Sequence, residues 1–158
     1  FENFYANSFR TDRGLVSVLS GYPAHPTTAV IKYPDKTRSL PSIPRRLKDD
    51  GYTLSFEYGG DADFANMRSY LVGTCGISDI TSDSDFPVSQ RLTKWGVPDK
   101  YLIENVYKSV TEGRQQPFMK LVLTLSSHEP FDVPTATFDV PFLNAISYTD
   151  QCLGDFVT

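Results

Sequence analysis

The sequence predicts an α/β layered domain around a largely parallel sheet. Three observations lead there. Stretches with apolar residues at helical spacing alternate with short, apolar, partly β-branched runs. Glycine and aspartate punctuate the junctions between them. One run, "FMKLVLTLSS" at 118–127, is apolar along most of its length, as a strand covered on both faces should be.

The first predicted helix follows Thr11. Leu15, Val16 and Leu19 fall on one face, Asp12 favours the positive end, and "GYP" at 21–23 stops it. From Pro23 to Pro44 several prolines and no sustained period predict an excursion over the surface. "IPRRLKDDG" at 43–51 reads as a brief helix closed by Gly51, followed by a strand in "YTLSFEYG" and a turn at Gly59-Gly60. Asp63 is placed to cap a helix through "FANMRSYLVG", and the segment from Thr74 to Val97 reads as polar and irregular. Asp99 opens a helix with Leu102, Val106 and Val110 at four-residue spacing. The strand at 118–127 then runs into "HEPFDVP", and a last helix starts near Pro141 and continues towards Phe156.

The composition is that of a globular protein, with 158 residues, 40% hydrophobic and 22% charged, enough for one sizeable core. A formal charge of −4 gives no general attraction to nucleic acid, so none is expected as a partner. Cys75 and Cys152 are too few for a disulfide scaffold; they are either one bridge or two free buried thiols. No paired CxxC motif and no run approaching the ~20 apolar residues of a membrane span occurs. The sequence opens on "FENFYANS", which reads as extended but not as a complete leading strand, and stops inside a predicted helix. Residues 1–158 are therefore expected to be the central part of a larger catalytic domain.

In an open α/β sheet, ligands gather beyond the carboxyl ends of the strands. Thr11 and His128 both fall at such places and are expected to face one crevice. Thr11 has two readings: a helix cap, or a nucleophile at the positive end of a helix with Arg10 and Arg13 beside it to hold an anion. His128, just past the strongest strand, is either a surface residue or a group that binds a substrate oxygen, a proton or a metal. His25, between prolines, reads as a surface residue. In "YGGDADFANMRSYL", Gly59 and Gly60 would let the backbone approach a ligand, Asp61 and Asp63 read as turn and cap residues, and Asn66 lies on the helix that follows. Arg68 suits either a solvent-facing salt bridge or a bidentate contact to phosphate or sulfate.

Taken in order, "NSFRTDRGLVSVLSGYP", "LPSIPRRLKDDGY", "EYGGDADFANMRSYL", "WGVPD" and "LTLSSHEPFDVP" resemble the sulfatase-type extracytoplasmic domain of the lipoteichoic-acid synthase group, in the alkaline phosphatase superfamily. The resemblance covers nearly the whole chain and is nearest to membrane-anchored sulfatase-like proteins of Bacteroidetes type. It implies that Thr11 is the nucleophile and touches a catalytic divalent metal, Mn2+ or Mg2+ with Zn2+ as the alternative. It implies that His128 lines the substrate site and that Arg68 contacts phosphate. The implied activity is transfer of a phosphoglycerol- or phosphoethanolamine-type head group from a phospholipid, by a protein anchored in the inner membrane with this domain on the periplasmic side. A sulfatase or phosphodiesterase releasing its product to water is the alternative, and a non-catalytic fragment is a third reading. The family's acidic metal ligand ahead of the nucleophile and its later Asp-His pair are not in this sequence. Thr11-Asp12-Arg13-Gly14 also lacks the Cys/Ser-x-Pro-x-Arg pattern of formylglycine sulfatases.

Overall fold

The computed structural model describes residues 3, 5–113 and 115–158. The predicted extended lead at 1–8 thus lies partly outside the described residues. Its described part is irregular.

The sheet has three parallel strands in the order β2-β1-β3: β1 (Thr53–Tyr58), β2 (Asp79–Thr81) and β3 (Phe118–Leu123). The predicted α/β class is thereby borne out. The central strand β1 buries Ser55, Phe56 and Glu57 in succession, as a strand with both faces covered must. β2 falls inside the segment read as irregular. Three residues, "DIT", are too few to show a period, so that strand was illegible.

The chain divides into two compact units, each described by itself. The first comprises Phe1–Leu54, Ala62–Asp79 and Pro117–Met119. It contains α1 (Thr11–Ser20), the single turn α2 (Pro34–Thr37), α3 (Ile43–Asp49) and α4 (Met67–Tyr70). Leu15, Val16 and Leu19 of α1 are buried as their spacing predicts, and Gly21 ends the helix in the left-handed region at φ 64°. Each fully buried side chain such as Leu19 contributes about 1.5–3 kcal/mol. The Pro23–Pro44 segment is not wholly superficial, because Ala29, Ile31 and Thr37 are buried in this unit's core.

A π-type turn, Leu71–Cys75, continues α4 and leaves carbonyls that need donors. α3 supplies them. Arg45 donates to Thr74 O at 3.3 Å and Gly73 O at 3.1 Å, and Lys48 Nζ to Gly76 O at 2.7 Å. The basic residues of "PRRLK" thus serve as a cationic cap on a helical C-terminus. α3 is itself capped by Ser42, whose hydroxyl accepts the Arg45 N–H at 3.2 Å.

The second unit comprises Ser55–Asp61, Ile80–Gln116 and Lys120–Thr158, with α5 (Asp99–Thr111) and α6 (Pro141–Val157) packed together. Ile103, Tyr148 and Cys152 form one apolar cluster; Phe86, Val97 and Leu102 form another. Within the sheet, Glu57 of β1 is ion-paired with Lys120 of β3, both almost fully buried, and Asn105 of α5 donates to Glu57 at 3.5 Å. Cys75 and Cys152 are free and buried, which selects the two-thiol reading; burial also pushes both thiols above their ordinary pKa.

Candidate active site

Thr11 is the first residue of α1, and its side chain is exposed. It is not the cap. Arg10 holds the N-cap position with extended φ/ψ of −125° and 135° and makes no side-chain cap bond. Among the described residues none hydrogen-bonds the Thr11 hydroxyl, which stands at the positive end of a ten-residue helix with no structural duty.

Asp12, next to it, is buried. One carboxylate oxygen accepts from Arg10 Nε at 3.2 Å, and the other, Oδ2, has no partner among the described residues. Arg13 donates to Pro26 O at 2.6 Å, and its guanidinium carbon lies 5.4 Å from the centre of the Phe9 ring. Both arginines expected to hold an anion therefore already have partners within the chain.

The segment around Arg68 departs from the predicted continuous helix. Phe64–Asn66 is a 3-10 turn in which Ala65 and Asn66 are left-handed at φ 53° and 63°, and α4 begins only at Met67. Asparagine tolerates that region, whereas alanine is strained there by about 1 kcal/mol or more. Asp63 does not cap. It has αR dihedrals rather than the extended ones a cap needs, and its carboxylate accepts from Arg68 Nε at 2.9 Å. The salt-bridge reading of Arg68 is the one observed, with the side chain 38% exposed, so one edge of the guanidinium remains accessible.

Gly59 and Gly60 lie against the Gly96-Val97 backbone. Val97 N donates to Gly59 O at 2.8 Å, and Gly60 bridges to Gly96. A Cβ on Gly59 would lie 2.5 Å from Val97 O, while Gly96 has φ 137° and presses against the Gly59 carbonyl. Gly59 and Gly96 let two backbone segments touch, while a Cβ on Gly60 would meet the Tyr58 ring at 2.7 Å. Asp61 is exposed.

His128 is exposed, beyond β3, and belongs to a small assembly that the sequence did not reveal. Its Nδ1 lies 2.8 Å from Glu129 O, and the indole Nε1–H of Trp95 donates to that same carbonyl at 2.6 Å. The two rings pack with centroids 4.7 Å apart at 56°. A carbonyl only accepts, so Nδ1 is the donor in this contact, and whenever the ring is neutral Nε2 is left as an acceptor. The lone Trp, in "KWGVPD", was the available signal. His25, read as a surface residue, is exposed and bonded locally to Thr27.

The same "WGVPD" motif ends on Asp99, which is fully buried at the start of α5. Its Oδ1 accepts Leu125 N at 2.6 Å and Ser126 N at 3.2 Å, its Oδ2 accepts the Thr149 hydroxyl at 2.7 Å, and its own N–H donates to Ser126 Oγ at 2.8 Å. The loop leading to His128 is thereby fixed to α5 and α6.

Among the described residues no group of three or more His, Cys, Asp or Glu side chains could hold a metal ion. The Thr11 hydroxyl alone does not make a divalent site. No described helix is long and apolar enough to cross a membrane.

Comparison with known proteins agrees with the fold. Phosphoglycerol transferase I from Xanthomonas campestris pv. campestris (strain B100) is 32% identical over 129 residues, 71% of this chain but 18% of that protein. Lipoteichoic acid synthase-like YvgJ from Bacillus subtilis (strain 168) is 23% identical over 172 residues, covering 99% of the chain and 27% of that protein. The chain thus spans a minor part of the length of these relatives. A crystal structure of an alkaline phosphatase superfamily protein from Vibrio parahaemolyticus superposes with a TM-score of 0.82 at 31% identity, over 97% of this chain and 39% of that one. The lipoteichoic acid synthase LtaP from Listeria monocytogenes shares the fold, with a TM-score of 0.83 at 22% identity over 95% of this chain and 40% of that one. The family model described as Sulfatase matches residues 1–158, and with the structural likeness it assigns the chain: it belongs to the sulfatase family, as a lipoteichoic-acid-synthase-like domain of the alkaline phosphatase superfamily.

Proposed function

We propose that residues 1–158 are the central part of one catalytic domain, and that its parent protein transfers a phosphoglycerol- or phosphoethanolamine-type head group from a phospholipid through Thr11. The observation that carries this reading is the Thr11 hydroxyl, exposed at the start of α1 and excused from capping by Arg10. The names of the Xanthomonas and Bacillus relatives support the substrate class. The Thr11 oxygen attacks phosphorus, the bond from phosphorus to the lipid oxygen breaks, and the lipid leaves with a proton. An acceptor hydroxyl then attacks the phosphorus of the phosphothreonine, the bond from phosphorus to Thr11 breaks, and the threonine hydroxyl is restored with the acceptor's proton. The positive end of α1 favours the anionic head group. Arg68 contacts its phosphate oxygens through a planar fork, and His128 accepts a head-group hydroxyl at Nε2.

Sulfatase-type enzymes of this superfamily generally use divalent metals. We assign Thr11 as a donor to a manganese, magnesium or zinc ion, since no cluster of His, Cys, Asp or Glu among the described residues forms a metal site by itself. A bound ion supplies a lowered hydroxyl pKa. The parent is proposed to be membrane-anchored through parts outside this chain, with this domain on the periplasmic side. The Sulfatase match favours one second reading, transfer to water; formylglycine chemistry is disfavoured because position 11 is threonine without the accompanying Pro and Arg.

The test is transfer from a fluorescent phospholipid by the parent protein, with intact mass measured in parallel. The wild type is expected to accumulate a phospho-adduct on Thr11 when acceptor is withheld, and Thr11→Ala to lose both adduct and turnover. Near-normal turnover by Thr11→Ala would return that residue to a bystander.

A further inference from the structure

We infer that Trp95 is a positioning residue for His128, holding the imidazole as the Nδ1–H tautomer so that Nε2 meets the substrate as an acceptor. The inference rests on the substrate role proposed for His128. Its geometry stands independently of that role.

Glu129 O is the pivot. It accepts from Trp95 Nε1 at 2.6 Å and lies 2.8 Å from His128 Nδ1, using both lone pairs of one carbonyl. The indole also packs obliquely against the imidazole, with centroids 4.7 Å apart and the planes tilted by 56°. An exposed histidine in a loop ordinarily turns freely about χ2 and exchanges tautomers. Here the pivot carbonyl fixes which nitrogen is protonated, and the indole fixes both the carbonyl and the ring plane.

Trp95 is itself anchored. Its peptide N–H donates to Thr93 Oγ1 at 3.3 Å, and Gly96 N–H donates to the same hydroxyl at 3.1 Å. Gly96 is wedged against Gly59, so the indole projects from a rigid turn rather than a loose loop. Lys94 lies with its ammonium 5.3 Å from the indole centre, a cation over the outer ring. A tryptophan 36% exposed, clamped at its backbone and bonded through its indole N–H, is a support and not core filling. The ligand this arrangement suits is a hydroxyl-bearing head group, whose O–H donates to Nε2 while its phosphate oxygens lie elsewhere.

The test reads the nitrogen chemical shifts of His128 in the chain by two-bond proton–nitrogen correlation, with kinetics on the parent protein alongside. The wild type is expected to show a protonated Nδ1 and an unprotonated Nε2. Trp95→Ala is expected to shift the balance towards the Nε2–H form that free histidine prefers, and to raise KM for the lipid by about fivefold with little change in kcat, the size of one lost hydrogen bond. Trp95→Phe keeps ring packing without the donor and is expected to fall between, which separates orientation from unfolding. An unchanged Nδ1–H signature in Trp95→Ala overturns the inference. If His128→Ala leaves transfer intact, the substrate role fails, and the shifts alone then decide whether Trp95 orients the ring.

Discussion

Asp99 and Thr149 are joined side chain to side chain at 2.7 Å although they are 50 positions apart, and the same carboxylate also receives the backbone N–H groups of Leu125 and Ser126. One buried aspartate at the head of α5 therefore fastens α6 and the end of the strand leading to His128. Replacement by alanine strands two buried N–H groups and a hydroxyl. Asp99→Ala is expected to lower unfolding free energy by about 3 kcal/mol or more. Asparagine keeps an acceptor for the backbone and presents an N–H to the Thr149 hydroxyl, so Asp99→Asn should lose about 1 kcal/mol. Urea titration of the three proteins checks the order; equal stability of wild type and Asp99→Ala would refute it.

Gly96→Ala tests the glycine contact. The new Cβ would press into the Gly59 carbonyl at a φ of 137°, a conformation that L side chains rarely adopt. Overpacking and backbone strain together predict a loss of at least about 3 kcal/mol. Gly14→Ala, with nothing within 4 Å of its added methyl, is the control and should stabilise α1 by about 0.5–1 kcal/mol. Thermal melts of the pair measure the contrast.

Arg68 should matter little for folding. Its pair with Asp63 is exposed on both sides, 38% and 68%, and such pairs contribute about 0–1 kcal/mol. On activity we expect a graded loss, with Arg68→Ala weaker on anionic lipid than Arg68→Lys, since lysine retains charge without the two-pronged geometry. Steady-state kinetics of the parent protein measure it; identical KM values for wild type and Arg68→Ala would remove Arg68 from the substrate's path.

Alkaline pH should destabilise the fold through its tyrosines and thiols. Burial pushes Tyr58 from 10.0 up to about 12, helped by the charges of Asp61, Asp83 and Asp99, and burial pushes Tyr148 to about 12. The Cys75 and Cys152 thiols are raised above 9.0 in the same direction. A raised folded pKa means that the unfolded chain releases its proton first. The stabilisation is thus complete below the unfolded values and declines as pH rises from 9.0 towards about 12. Melting temperature should fall across that window, and Tyr58→Phe should soften the upper part of the fall. An unchanged slope in that variant would count against the assignment.

Local elements were legible because their causes are local. The Leu15-Val16-Leu19 face, the Gly21 stop and the Pro141 start each follow from neighbours within a turn or two. What failed had distant causes. Asp63 looked like a cap until Arg68, five residues on, claimed its carboxylate. The packing of Gly59 was hidden because Gly96 is 37 positions away in sequence. Asp99 looked like an ordinary helix opener because its three acceptor bonds reach residues 26, 27 and 50 positions off. For Thr11, Arg68 and His128 the local pattern left two readings each, a cap, a salt bridge or a surface residue against a functional group, and only the resemblance chose between them.

Arg10 occupies the cap of α1, which frees position 11 from the architecture. The fold asks nothing of that side chain: it fills no space in the core, and among the described residues it accepts no bond and donates none. A residue in that condition is a clean reporter. Serine, cysteine or valine can be installed there with the scaffold indifferent to the choice, so under the proposed nucleophilic role a saturation library at position 11 would score reactivity without contamination from misfolding. If that role holds, position 11 is also where this framework can be re-tooled in a single step, whether by selection or at the bench.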